Sequence, residues 1–138
     1  MALGSILIDT NAYVAMKRGR PEARDIFQKS SMLGVNPIVI GKLLNGFSKG
    51  KQNQKNRKEL FRFLRLERLW LMTIDRDTAE CYSRIHSILR EKGRPIPEND
   101  VWIAASALQY DMKIFTYDSH FGFIDEVLSG KSYSELAK

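Results

Sequence analysis

The chain has 138 residues, 43% of them hydrophobic and 28% charged, which fits one globular domain spanning 1–138 with a real core. Its 22 Lys and Arg against 16 Asp and Glu leave a net charge of +6; a basic surface draws polyanions, nucleic acid foremost, although many small proteins are basic without such a partner. The single cysteine, Cys81, excludes an internal disulfide and fits a reducing, cytoplasmic setting, while the start "MALGSILIDTNAYVA" is not that of a signal peptide and no apolar run approaches the ~20 residues of a bilayer span.

In chain order, "SILID" (5–9) reads as a short apolar strand ending in an acid, with "TNAYVAMK" following as a helix. Pro21 opens a second helix, "PEARDIFQKSS", with its acid early, as helix starts prefer. "MLGVN" reads as a second strand, and Pro37 opens the helix "PIVIGKLLNGFSK". The stretch "SKGKQNQKNRKELFRFLRLER" (48–68) concentrates basic charge and predicts an exposed helix, with Leu60, Phe61, Leu64 and Leu66 as its apolar face. "RLWLMTI" (68–74) is a third strand, and residues 75–93 form a helix with acids at its start and Lys92-Gly93 at its end. "ENDVWIAASALQYD" is another helix, "KIFTY" (113–117) a fourth strand, and "DEVLSGKSYSELAK" is weakly specified, its last residues open to disorder. Strands interleaved with helices predict a mostly parallel sheet covered on both faces.

Functional groups in open parallel sheets gather outside the carboxyl ends of the strands. Asp9 closes the first strand, Asp118 closes the fourth, and Asp100 lies in the first turn of the helix that feeds the fourth. All three therefore fall on one edge. Each has a local reading: Asp9 as a helix cap, Asp100 as an acid favoured by the helix dipole, Asp118 as an Asx turn. Clustered carboxylates repel unless a positive group sits between them, and Mg²⁺ or Mn²⁺ is the usual occupant.

In order and spacing, "ILIDTNAYVA", "PIVIGKLLNGF", "IPENDVWIAASAL" and "IFTYDSHF" resemble the motif blocks of PIN-domain proteins, and most of all those of VapC-type toxins of toxin–antitoxin pairs. The resemblance runs from about residue 5 to about residue 123. It implies a three-layer α/β/α fold and a metal-dependent endoribonuclease, dimeric and held inactive by a VapB-like antitoxin. Asp9, Asp100 and Asp118 would then hold Mg²⁺ or Mn²⁺, and Asn11 and Thr116 would orient them or the attacking water. Basic residues of the 49–68 stretch would grip RNA phosphates, a contact that weakens with salt.

One position departs from the pattern. Where these proteins carry a fourth acid, in a block shaped Glu-Leu-Leu-x-Gly, this chain has "KLLNG", with Lys42 in place of the glutamate. The lysine could swing clear of the site, could replace the metal by pairing with Asp9, Asp100 or Asp118, or could be an introduced, inactivating residue. The second reading is preferred on physical grounds, and it makes the chain a weakened nuclease. Glu98 is a candidate substitute acid. The alternative from another class is a catalytically inert module that binds RNA or antitoxin; a receiver-type phospho-acceptor lacks its usual acid pair in "LIDTN". His86 and His120 are not expected to be ligands, though His120 could touch phosphate. Trp70 and Trp102 suit the core or a dimer contact, and Tyr13 and Phe47 suit an interface.

Overall fold

The computed structural model describes residues 2–138. Five strands, β1 (Ser5–Ile8), β2 (Met32–Val35), β3 (Leu69–Leu71), β4 (Lys113–Phe115) and β5 (Ser129–Gly130), form one parallel sheet in the order β3-β2-β1-β4-β5. Around it lie α1 (Thr10–Lys17), α2 (Pro21–Lys29), α3 (Pro37–Ser48), α4 (Asn53–Phe63), α5 (Arg76–Lys92), α6 (Glu98–Gln109) and α7 (Tyr133–Leu136). This is the expected α/β fold with helical layers against a central sheet. The central strands β1 and β4 are buried, with Ile6, Leu7, Ile8, Ile114 and Phe115 fully enclosed, as apolar strands covered on both faces must be.

The strand order decides where a site can form. From β1 the chain winds outward to β2 and β3, then returns to the other flank for β4 and β5. The turning point lies between β1 and β4, where connections leave in opposite directions and open a crevice at the strands' carboxyl ends. Ile8 pairs with Phe115 in register, and the amide of Asp9 donates to the Phe115 carbonyl at 3.0 Å. Asp9 and Thr116 therefore leave the sheet side by side.

Two regions differ from expectation. The basic stretch forms a shorter helix than read from 48–68, α4 running only over Asn53–Phe63. Its buried residues are Leu60 and Phe63, whereas Phe61 is 37% and Leu66 43% exposed, so the inward face is rotated from the predicted one. The weakly specified end forms β5 and α7, where Leu136 is buried and Lys113 Nζ donates to its carbonyl at 2.7 Å. Gly93 ends α5 as expected, in a left-handed conformation at φ 63°.

Asn36, fully buried just past β2, ties two helices of the crevice together. Its Oδ1 accepts from the Val39 amide at 3.0 Å, capping α3, and its Nδ2 donates to Ser106 Oγ of α6 at 3.1 Å. Asn36→Ala removes the cap and strands a buried hydroxyl, so urea titration should show stability falling by about 2–3 kcal/mol. Asn36→Asp keeps the cap acceptor and should lose less; equal stability of the parent and the alanine variant would show that the link carries no load.

Candidate functional site

Asp9 is 3% exposed and serves two elements at once. Its Oδ1 accepts from the Thr10 amide at 2.7 Å at the start of α1, and its Oδ2 accepts from Thr116 Oγ1 at 2.6 Å. The Thr116 hydroxyl has one proton, and the short distance gives it to Asp9; its 3.5 Å approach to Asn11 Oδ1 is then only a contact. Thr116 Oγ1 in turn accepts from the Asp118 amide at 3.0 Å. One buried hydroxyl thus bridges the end of β1 to the acid after β4.

Asn11 holds that second segment from the α1 side, its Oδ1 accepting from the Tyr117 amide at 3.1 Å. Tyr117 is anchored in turn: its hydroxyl donates to Glu22 Oε2 at 2.8 Å, and Arg20 lies over its ring at 5.2 Å. Asp118 makes the Asx turn read from the sequence, Oδ1 accepting from the His120 amide at 2.9 Å at the start of a short 3-10 helix, Ser119–Phe123. Phe121 of that turn is fully buried and fixes it to the core.

Asp100 completes the cluster from the first turn of α6, its side chain only 6% exposed. Among the described residues no donor hydrogen-bonds its carboxylate. Burial, and then the negative charges of Asp9 and Asp118, push its pKa above the ordinary aspartate range, while Lys42 and His120 pull the other way. Asp9 and Asp118 thus act on Asp100 through space, while the ligand atoms that cluster within 4.8 Å are those of Asp100, Asp118 and His120, with Asp9 outside that group. A carboxylate buried, unbonded and crowded by like charges fits a site made for a cation.

His120, read from the sequence as close to the site but not as a ligand, stands directly at the acids. Its Nδ1 stands 3.0 Å from Asp118 Oδ1 and 3.8 Å from Asp100 Oδ2, and ligand atoms of Asp100, Asp118 and His120 lie within 4.8 Å of one another. The available signal was its place two residues after Asp118, where an Asx turn folds the chain back.

Other candidates lie differently. Lys42 is half-buried and acts on Asp100 through space, but makes no direct ion pair among the described residues, so the expected pairing of its ammonium with the acids is absent. Glu98 is engaged elsewhere: it accepts from the Tyr82 hydroxyl and sits 3.0 Å from His86 Nε2. Both contacts hold its pKa below the ordinary value, the tyrosine bond most. Trp102 stacks on Tyr82 at 4.1 Å between ring centres, and Trp70 meets Tyr110 edge-on at 4.5 Å. Tyr13, expected at an interface, is instead 3% exposed and packed edge-on against Phe63; burial first, and Glu59 second, raise its hydroxyl to about 12. Half-buried Phe47 lines a groove between α1 and α4 with Val14 and Lys17. Arg57, Lys58 and Arg62 of α4, with Arg65 just past its end, surround a cavity of about 640 Å³ beside Phe61. No helix among the described residues is long and apolar enough to cross a membrane.

Such a parallel α/β/α sandwich, with an acidic cluster at the reversal of its strand order, defines a class of small α/β domains. A family profile for the PIN domain matches residues 6–127, and the chain belongs to the PIN-domain family. It is 26% identical over 114 residues to Ribonuclease VapC2 of Rickettsia felis, covering 80% of this chain and 84% of that one. To Ribonuclease VapC4 of Mycobacterium tuberculosis it is 26% identical over 121 residues, with 88% and 92% covered. Among solved structures, VapBC2 from Rickettsia felis bound to a promoter DNA fragment superposes with a TM-score of 0.80 at 24% identity, covering 91% of this chain and 97% of that one. DNA-bound VapBC from Salmonella typhimurium gives 0.79 at 22%, covering 94% and 98%.

The raised pKa of Asp100 has a definite thermodynamic sign. Between the ordinary aspartate value and the raised one, the folded chain holds more protons than the unfolded chain, so stability falls as pH rises through that window. Asp100→Asn lacks the penalty. Without added cation it should melt above the parent at pH 7, and the gap should close as pH is lowered below the ordinary aspartate range. A variant melting lower at pH 7, measured by calorimetry, would mean that Asp100 is not electrostatically strained.

Proposed function

We propose that the chain is a metal-dependent endoribonuclease of the VapC type, partnered by a VapB-like antitoxin and attenuated by Lys42. The observation that carries the reading is the buried Asp100 carboxylate, unbonded and opposed by Asp9 and Asp118. Membership of the PIN-domain family, and relatives named Ribonuclease VapC along more than four-fifths of their length, support it. The VapBC titles of similar structures support the antitoxin partner.

In this reading Asp9, Asp100 and Asp118 hold Mg²⁺ or Mn²⁺, which when bound supplies charge stabilisation to the scissile phosphodiester and lowers the pKa of the attacking water. The chain's own residues then divide the work. Thr116 fixes the rotamer of Asp9 and the loop carrying Asp118, and Asn11 clamps that loop to α1. The cations of α4 bind flanking phosphates without regard to sequence. Lys42 contributes a positive charge where a fourth acid would contribute a negative one, a change of two units. It lowers the electrostatic need for a cation by acting on Asp100.

The test is cation binding and RNA cleavage side by side. Lys42→Glu should tighten Mn²⁺ by about tenfold or more, equal to ~1.4 kcal/mol, and raise Mn²⁺-dependent cleavage in parallel. Asp9→Asn and Asp118→Asn should abolish cleavage, as should chelator. If Lys42→Glu bound no ion and cut no RNA, while the parent bound RNA equally well with chelator or with Asp118→Asn, the chain would be a binding module and not a nuclease.

A further inference from the structure

We infer that His120 is a nitrogen ligand in the acidic site, standing in for the acid that Lys42 displaces, and that it biases the site toward Mn²⁺ over Mg²⁺. The inference rests on the reading above that the crevice binds a divalent cation, and it deepens that reading by naming a ligand and an ion preference.

Two ligand atoms of one ion, each about 2.1 Å away, stand about 3.0 Å apart when adjacent and about 4.2 Å when opposite. His120 Nδ1 lies 3.0 Å from Asp118 Oδ1 and 3.8 Å from Asp100 Oδ2, spacings that fall within this span. The backbone that carries the imidazole is anchored, while the ring itself is 47% exposed. The His120 amide donates to Asp118, and the next residue, Phe121, is fully buried. The nitrogen nearer the backbone faces the acids, leaving Nε2 to the outer side.

A second observation points to a ligand at this place. The Asp100 side chain is more than nine-tenths buried and accepts no hydrogen bond among the described residues, although it faces this nitrogen. Charge favours a neutral donor here. Three carboxylates and the Lys42 ammonium leave two negative charges, which a divalent ion cancels. A neutral imidazole adds a lone pair without upsetting that balance, whereas a further carboxylate would leave the site anionic. Mg²⁺ prefers an all-oxygen octahedron and gains little from nitrogen, while affinity for imidazole rises from Mn²⁺ through Co²⁺.

Only two histidines are present, and His86 is engaged by Glu98 and Tyr82, so a nitrogen bound to the ion can be assigned. The experiment uses the full chain loaded with Mn²⁺, read by pulsed electron paramagnetic resonance for ¹⁴N modulation and by calorimetry for affinity. The parent and His86→Gln should show imidazole nitrogen modulation, and His120→Gln should lose it. The same variant should weaken Mn²⁺ by about tenfold or more while leaving Mg²⁺ within about threefold.

Mn²⁺ bound to the parent with no modulation that depends on His120 overturns the inference and leaves the nuclease reading standing. That is also the result if His120 contacts phosphate, in which case His120→Gln raises the KM for RNA at unchanged ion affinity. Failure of the parent to bind Mn²⁺ while Lys42→Glu binds it overturns the inference alone. Failure of both overturns the inference and the nuclease reading together.

Discussion

The structure around the sheet edge depends on one buried hydroxyl. Thr116 Oγ1 gives its proton to Asp9 and takes one from the amide of Asp118, so a single atom sets the spacing of two acids that are 109 residues apart in the chain. A hydrogen bond to a charged group contributes roughly 1.5–3 kcal/mol. Here it also removes a rotational freedom that would let Asp9 turn from its neighbours. Asp100 has no such support, and that asymmetry gives the crevice its character. One acid is satisfied by the protein, one is shared with a histidine, and one is left facing both.

Topology explains why the three meet at all. Strand β1 is central, its neighbours β2 and β4 lie on opposite flanks, and the connections part at the crevice between the carboxyl ends of β1 and β4. Asn36 links this crevice to the helix carrying Lys42, because it caps α3 and bonds to Ser106 of α6, the helix carrying Asp100. Lys42 and Asp100 are thus placed by elements joined through one buried amide.

The edge was legible in the sequence because its signals are local: an acid directly after an apolar run, a second acid after another, a third in the first turn of a small-residue helix. Strands β1, β2 and β4 and the helices opened by Pro21 and Pro37 followed from the same punctuation. β4 ends at Phe115 and not Tyr117 because Thr116 turns its side chain to Asp9 while its amide still donates to Gly130. β5, two residues long, carries no alternation to read. Tyr13 looked like an interface residue because the sequence does not show Phe63 arriving from α4 to cover it. His120 was read as close to the site but not as a ligand because the direction of its ring depends on a 3-10 turn whose geometry is set by Asp118 and by the burial of Phe121. A turn of that kind has no periodicity.

The two charge patterns of the molecule act against each other in a useful way. The chain carries a net +6, with Arg57, Lys58 and Arg62 on α4 and Arg65 just past its end, yet its crevice is a concentration of negative charge. For the proposed ribonuclease, the basic surface attracts the RNA backbone by a salt-dependent contact that needs no metal. The crevice repels the same backbone, since phosphate and carboxylate have one sign. Only a cation between them reverses that repulsion, so affinity for RNA and competence to cut it are set by different residues. Lys42 adds a positive charge on the crevice side, acting on Asp100. Its charge makes the crevice less hostile to phosphate and, by the same amount, less hospitable to the cation that would act on it. In the proposed ribonuclease, a lysine at this position weakens the hold on the cation while leaving the basic surface to attract RNA.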